Sequence, residues 1–434
     1  MLIFSNHILS VIEGNSIKMI IRSIKSIIRS INRAVFDILY YRIYYYFRIK
    51  NLRKQPIIKV AFKIEDLGAW KTEDLYKLML QHPRFEPILI ICQNVVENDL
   101  INLRQYCNSK GYDYIEIDGL TQDVWDCCYP DIVFFQKQYR GETFLGLRCL
   151  LKYHKTLFAH IPYGFRSSIE PWAYDWPYLH KSWQIYYENR EVAEEYAKLV
   201  TSRRPNIYVT GLPMMDELLT NSNGSADPWK PSEGKKRIIY APHHSINPDN
   251  LWISSTFLDF GEEILKLAEK YSDKVQWAFK PHPLLKDKLI KIWGEKRTLE
   301  YYSRWEDVEW SQYESGKYTG LFHHSDAMIH DCGSFIMEYL YTDKPVMYLF
   351  KDNHLEKTFN QQYRKALSLH YQGWTLKDIE VFINNVITGK DPMYDERMSF
   401  KNKCLTPPYG TSASQNIIDC ILNADADRKM LFNK

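Results

Sequence analysis

The stretch that decides the fold is "SDAMIHDCGSFIMEYLYTDKPVMYLF", residues 325–350. It opens with a short apolar run, Ala327-Met328-Ile329, and drops into polar His330-Asp331-Cys332-Gly333-Ser334. It rises again as an apolar helical pattern through Phe335, Ile336, Met337, Tyr339 and Leu340, and a second apolar run, Val346 to Phe350, closes it. Strand, tight turn, helix, strand is the unit from which parallel α/β sheets are built. The turn is more polar than a structural turn requires. Glycine, with serine as an N-cap, would suffice. An acid at the strand's end and a carboxylate one helical turn on, Glu338, ask for a further reason.

The same alternation runs outward in both directions. Residues 57–64, 87–92, 112–117, 131–136 and 156–161 read as buried strands, with helical patterns such as "TEDLYKLML" between them. "WQIYYEN", "REVAEEYAKLV" and "NIYVTGLP" continue the series. "TNSNGSADPWKPSEGKK" (220–236) is rich in Gly, Ser, Pro and Asn and reads as a linker. Beyond it, 237–242, 275–281, 327–331 and 345–350 form a second set of strands. The expected architecture is two doubly wound α/β domains, 55–219 and 237–434, with ligands at the C-terminal ends of the strands.

At 434 residues the chain suits two domains, and 45% hydrophobic with 25% charged residues marks a globular protein. A net charge of +3 is too small to point to nucleic acid. Eight scattered cysteines without CxxC spacing read as reduced thiols of a cytoplasmic protein. No apolar run reaches the ~20 residues that cross a bilayer.

Residues 1–54 stand apart. Lys18, Arg22, Lys25, Arg29 and Arg33 recur every three or four positions, within an arc of about 80° on a helix. Ile17, Ile20, Ile24, Ile27, Ile28, Ile31 and Val35 occupy the opposite face, and a tyrosine cluster follows. An amphipathic helix with a basic face free of acids suits the plane of an anionic membrane. Residues 17–54 are therefore expected to hold the protein peripherally on the cytoplasmic face of the membrane.

The polar motifs follow the strands. "FAHIPYGF" places His160 before Tyr163 and Gly164; "VTGLPMMDEL" supplies Gly211, Pro213 and Asp216. "YAPHHS" presents His243, His244 and Ser245, and "FKPHP" presents Lys280 and His282 between prolines that stiffen the backbone. "HDCGS" supplies Asp331, Gly333 and Ser334. A helix N-terminus, a serine, two strand-end histidines and a lysine suit a doubly charged diphosphate. No HExxH accompanies the histidine pairs, so neither a metal nor another cofactor is expected.

"YAP", then "KPHP", then "SDAMIHDCGSFIMEYLYTDKPVMYL" together resemble the C-terminal half of the CDP-glycerol glycerophosphotransferases, the teichoic-acid polymerase and primase family. "TGLPMMDEL" resembles that family's Gly-x-Pro-x-x-Asp segment, "HIPYGF" sits where it has a His-Gly motif, and "GTSASQNIIDCIL" resembles its closing helix. The likeness spans about 155–425. Two departures stand out: His330-Asp331-Cys332-Gly333-Ser334 replaces Thr-Asp-Tyr-Ser-Ser, and Ile-Pro-Tyr-Gly follows His160 where the family has glycine directly.

The resemblance implies a GT-B-like fold and transfer of a polyol phosphate, glycerol phosphate foremost, from a CDP-activated donor to a lipid-linked glycan, in capsule or teichoic-acid synthesis. It implies His160 as base, with Tyr163 and Gly164 on the acceptor side. His282, with Lys280 nearby, would steady charge on the transferred phosphate and the departing CMP. Gly333, Ser334, His243 and Ser245 would line the donor, Asp331 would order the turn, and Glu338 would hold a ribose or polyol hydroxyl. A GT-B glycosyltransferase using a nucleotide sugar is the alternative.

Overall fold

The computed structural model describes residues 45–64, 67–68, 70–92, 97–117, 124–136, 152–168, 179, 182–199, 206–220, 226–246, 255–351 and 355–422. Residues 17–44 of the basic amphipathic stretch lie outside this set.

Two wholly parallel sheets organise the chain. The first holds β1 (Ile58–Ile64), β2 (Phe85–Cys92), β3 (Tyr114–Ile117), β4 (Ile132–Phe135), β5 (Leu157–His160), β6 (Gln184–Tyr187) and β7 (Ile207–Val209), in the order β3-β2-β1-β4-β5-β6-β7. The second holds β8 (Lys236–Ala241), β9 (Val275–Phe279), β10 (Ser311–Tyr313), β11 (Ala327–His330), β12 (Val346–Leu349) and β13 (Tyr371–Gly373), in the order β10-β9-β8-β11-β12-β13. Every pairing within them is parallel.

Continuous apolar strands fit this arrangement because both faces of each sheet are covered. Val60 and Phe62 enter one core layer and Ala61 the other. In the second sheet Ile239 and Ala241 face one layer while Ile238 and Tyr240 face the opposite one. The order of the second sheet reverses between β8 and β11, and a doubly wound sheet opens a crevice at such a switch point. "YAPHHS" and "HDCGS" leave the sheet at these two neighbouring strands.

Three features amend the expected organisation. The linker is fastened: Trp229 is buried with its indole N–H on the Leu321 carbonyl at 3.2 Å. Lys230 donates to the carbonyls of Glu306, Val308 and Ser311. The helix Ala413–Leu422 does not stay with the second sheet. Its Ile417, Ile418 and Ile421 share a core with Val60, Phe62, Leu75 and Met79 of the first. Asp216 holds its start, accepting the Ala413 and Ser414 N–H groups at 2.8 Å each. Gly211, at φ +84°, passes so close to Pro407 and Ala413 that a Cβ would meet them at 3.0–3.1 Å. Thus "TGLPMMDEL" is the socket of the closing helix. Burial pushes the Asp216 carboxyl up to about 6.

In the helix Tyr46–Lys54, Tyr46, Phe47, Lys50, Arg53 and Lys54 are exposed. Arg48 turns inward and pairs with Asp131, so that member of the basic region serves the fold. Among the described residues no helix is long and apolar enough to cross a membrane.

Candidate active site

Asp331 is wholly buried at the end of β11, and its carboxylate answers the question posed by the turn. It accepts the His243 backbone N–H, the Thr256 N–H at 2.6 Å and the Thr256 hydroxyl at 3.0 Å. It therefore ties the β8 loop to the start of the helix Phe257–Lys270, where an acid is also favoured by the helix dipole. Burial pushes this carboxyl up to about 6 against those hydrogen bonds. Through these bonds Asp331 holds the turn to the neighbouring loop.

Gly333 and Ser334 follow on the open side. Among the described residues, a Cβ at Gly333 would meet no atom beyond its chain neighbours within 4 Å, so their packing does not demand glycine there. Ser334 is exposed and its hydroxyl makes no capping bond, so it does not play the N-cap part that a purely structural turn would give it. The helix it opens is short, Phe335–Glu338, running on into a 3-10 turn, Tyr339–Thr342. A single turn carries little dipole, so the helix-terminus share of anion binding is smaller than expected.

Glu338 departs from its expected place. It is buried and accepts the Tyr318 hydroxyl instead of presenting its carboxylate to a ribose. Burial raises its pKa, opposed by Lys71 and Lys280. Lys280 is itself buried, donates to the Gly316 carbonyl at 3.0 Å and lies over the Tyr318 ring. Burial brings its ammonium down to about 8. Lys71, from the first domain, reaches the same Tyr318 hydroxyl at 3.3 Å. This cluster closes the interface between the domains behind the histidines.

The histidines themselves converge. The rings of His243, His244 and His282 stand 4.1–5.1 Å apart, centre to centre. Among the described residues they are the one group whose potential metal-ligating atoms lie within 4.8 Å of one another. Their Nδ1 atoms are engaged by donors. Leu284 N–H reaches His282 Nδ1 at 3.1 Å, Lys288 Nζ reaches His244 Nδ1 at 2.8 Å, and Ser245 N–H reaches His243 Nδ1 at 3.3 Å. An imidazole that accepts at Nδ1 carries its proton on Nε2, which makes it a donor. That chemistry suits an anion better than a metal. Ser245 is buried, 2.7 Å from His243 Nδ1 through its hydroxyl, so it holds the ring from behind.

Across the cleft, at the end of β5, His160 is fully buried. Arg166 Nη2 lies 3.2 Å from its Nε2, and burial together with that cation holds the imidazole well below its usual pKa. Glu188, at the end of β6, accepts the Arg166 N–H at 3.4 Å; burial pushes its carboxyl up to about 7. Tyr163 and Gly164 lie half-exposed on the loop between His160 and Arg166. The second domain latches this loop. Asn360 Nδ2 donates to the Arg166 carbonyl at 2.6 Å and Asn360 N–H to the Ser167 carbonyl at 2.7 Å.

The structure thus brings His243, Ser245 and His282 together and sets Lys280 and Glu338 behind the site. Sequence reading left Arg166, Glu188, His244, Lys288 and Asn360 out of the site. His244 had a signal, being the second histidine of "YAPHHS"; the others meet the site only through the fold.

A family model described as CDP-Glycerol:Poly(glycerophosphate) glycerophosphotransferase matches residues 177–423. The chain belongs to this family. As a member it is a transferase of the CDP-glycerol glycerophosphotransferase type. No curated protein matches the sequence. Among solved structures, that of the wall teichoic acid polymerase TagF superposes with a TM-score of 0.58 at 15% identity, covering 92% of this chain and 97% of that one. A putative UDP-N-acetylglucosamine 2-epimerase from Listeria monocytogenes gives 0.57 at 14% identity, covering 86% and 98%. The UDP-GlcNAc 2-epimerase from Neisseria meningitidis bound to UDP-GlcNAc gives 0.55 at 16%, covering 85% and 100%. At such identities the likeness establishes the shared two-domain, GT-B-like fold.

Proposed function

We propose that the protein transfers a polyol phosphate, glycerol phosphate foremost, from a CDP-activated donor to a hydroxyl of a lipid-linked glycan or polymer in cell-envelope synthesis. Family membership supports the reaction class. The observation that carries the donor site is the group of three imidazoles and a lysine at the switch point of the second sheet.

In this reading the diphosphate lies against the Nε2–H groups of His243 and His282 and the Ser334 hydroxyl, over the open face of Gly333. Lys280 adds positive charge from behind. An acceptor hydroxyl enters past Tyr163 and Gly164 and attacks the donor's β-phosphorus. Its oxygen forms the new P–O bond, the bond to the bridging oxygen breaks, and CMP leaves with that oxygen. His160 takes the acceptor's proton. Arg166 holds the Nε2 lone pair at rest, so an incoming anion that draws the guanidinium away also frees the base. The donors around the phosphate stabilise the charge that grows in the transition state. The exposed Tyr46, Phe47, Lys50, Arg53 and Lys54 extend the basic region 17–44, which supports anchorage on an anionic membrane.

Mass spectrometry of products formed from CDP-glycerol, CDP-ribitol and UDP-sugars with a lipid-linked acceptor tests the proposal. Polyol phosphate added with CMP released is the expected result. Addition of a sugar would replace it with the glycosyltransferase reading.

A further inference from the structure

The imidazole cluster carries a consequence for how the donor is held. Lys288, on the helix Leu285–Trp293, donates to His244 at both Nδ1 (2.8 Å) and the backbone carbonyl (3.1 Å), so a fixed ammonium stands against the trio. Among the described residues, these charged and titratable groups act on the rings. Lys288 acts on all three, Lys280 acts on His282, the rings act on one another, and the Asp331 carboxylate holds the His243 backbone from below. We infer that His243, His244 and His282 form a phosphate-binding cluster that takes up a proton as it takes up the donor's diphosphate, an inference that rests on the donor-site reading above.

Anion binding changes the sign of the local field. Three half-buried imidazoles around an ammonium repel added positive charge, so without an anion they stay neutral. Burial and the neighbouring cations bring His243 and His282 down to about 3 and lower His244 as well. An opposite charge within about 4–6 Å raises such a pKa by about one to three. A diphosphate brings two such charges, and it lies closest to the Nε2–H donors that the Nδ1 contacts create. One imidazole of the three then gains its second proton from solvent, and the cluster turns from a dipolar donor into a cation matched to its ligand. The same Nδ1 contacts argue against a metal. A backbone N–H at Leu284 and an ammonium at Lys288 donate only, so His282 and His244 would have to give up these bonds, or a second proton, to ligate one.

Calorimetry of the full chain with CDP-glycerol tests the inference, because the diphosphate of this probe is esterified at both ends and keeps a fixed charge near neutral pH. Run at pH 6.5 in buffers of different ionisation heat, binding should draw in about one proton, and Kd should weaken by up to about tenfold per pH unit from 6 to 8. His244→Gln should lower the proton uptake while measurable binding persists. Binding with no proton uptake and a pH-independent Kd would overturn the inference and leave the donor-site reading standing. Absence of binding by the wild-type chain would sink that reading and the inference with it. Stoichiometric zinc binding that CDP-glycerol requires would replace the anion cluster by a metal site.

Discussion

His160→Ala separates chemistry from binding. The imidazole sits on β5 of the first sheet, whereas the groups assigned to the donor sit on the second. Its loss should leave Kd for CDP-glycerol within about threefold and slow transfer by about 10²–10⁴, the usual contribution of a general base. That factor corresponds to about 3–5 kcal/mol on the barrier. The pH dependence follows from burial and from Arg166 at 3.2 Å, which together hold the imidazole well below 6.5. The base is then already deprotonated at pH 6.5, so its own titration leaves the wild-type rate flat from there to pH 8.

The substitution also carries a structural cost. It leaves a cavity beside a guanidinium that has lost a partner, which on the scale of buried side-chain deletions costs about 2–4 kcal/mol. Circular dichroism and urea denaturation must therefore accompany single-turnover kinetics, and only the folded fraction counts. If His160 merely packs beneath the strand end, the variant loses stability while the folded fraction keeps its turnover. A folded His160→Ala protein within threefold of the wild-type rate would refute its role as base.

Ser334→Ala and His282→Ala should each weaken CDP-glycerol binding by about 1.5–3 kcal/mol, read by calorimetry, since each removes a donor to a charged oxygen. Reversal of Arg22, Lys25, Arg29 and Arg33 to Glu should release the protein from anionic liposomes in co-sedimentation, at about 1 kcal/mol per basic side chain lost. Stability should fall as pH drops from 6.5 to 5. His160, His243, His282, His330 and His370 have folded pKa values below the unfolded 6.5, so their contribution is lost in acid. Asp216, Asp331 and Glu188 are raised and act the other way. His244 joins the lowered imidazoles, and Glu338, Asp74 and Glu195 join the raised carboxylates. An unfolded imidazole takes up nearly a full proton across this window, so thermal melts should shift down on acidification.

The strands were legible because parallel strands covered on both faces write themselves as continuous apolar runs, as in "IIKVAFKI" and "PVMYLF". β10 and β13 escaped because three-residue strands such as "SQY" and "YQG" carry no such run. The positions of His243, His282 and Ser334 followed from the rule that strand ends share one side of the sheet. What could not be read is direction. Glu338 lies one turn from Ser334 in sequence, yet its helix is too short to present it forward, and Tyr318 captures it. Arg166 became a partner of His160 only because the loop between them folds back. The return of residues 413–422 to the first sheet is set by Asp216, a contact across 197 positions that no local pattern contains.

Asp216 and Asp331 show why acids stand in these motifs at all. Each is buried, each is pushed up to about 6, and each accepts backbone N–H groups at the start of a helix far away in sequence. Burying a carboxylate is costly unless charge-assisted hydrogen bonds repay it, and helix N-termini supply such donors with a favourable dipole. The gain is placement. Asp331 fixes the backbone of His243 and the helix behind it, so the donor loops of β8 and β11 cannot move apart without breaking three hydrogen bonds. Asp216 fixes the closing helix against the first sheet, and Asn360 fixes the Arg166 loop against the second domain. Ser334 makes no capping bond of this kind, and the three imidazoles are held through Nδ1. The buried carboxylates therefore build the frame on which the proposed donor site rests.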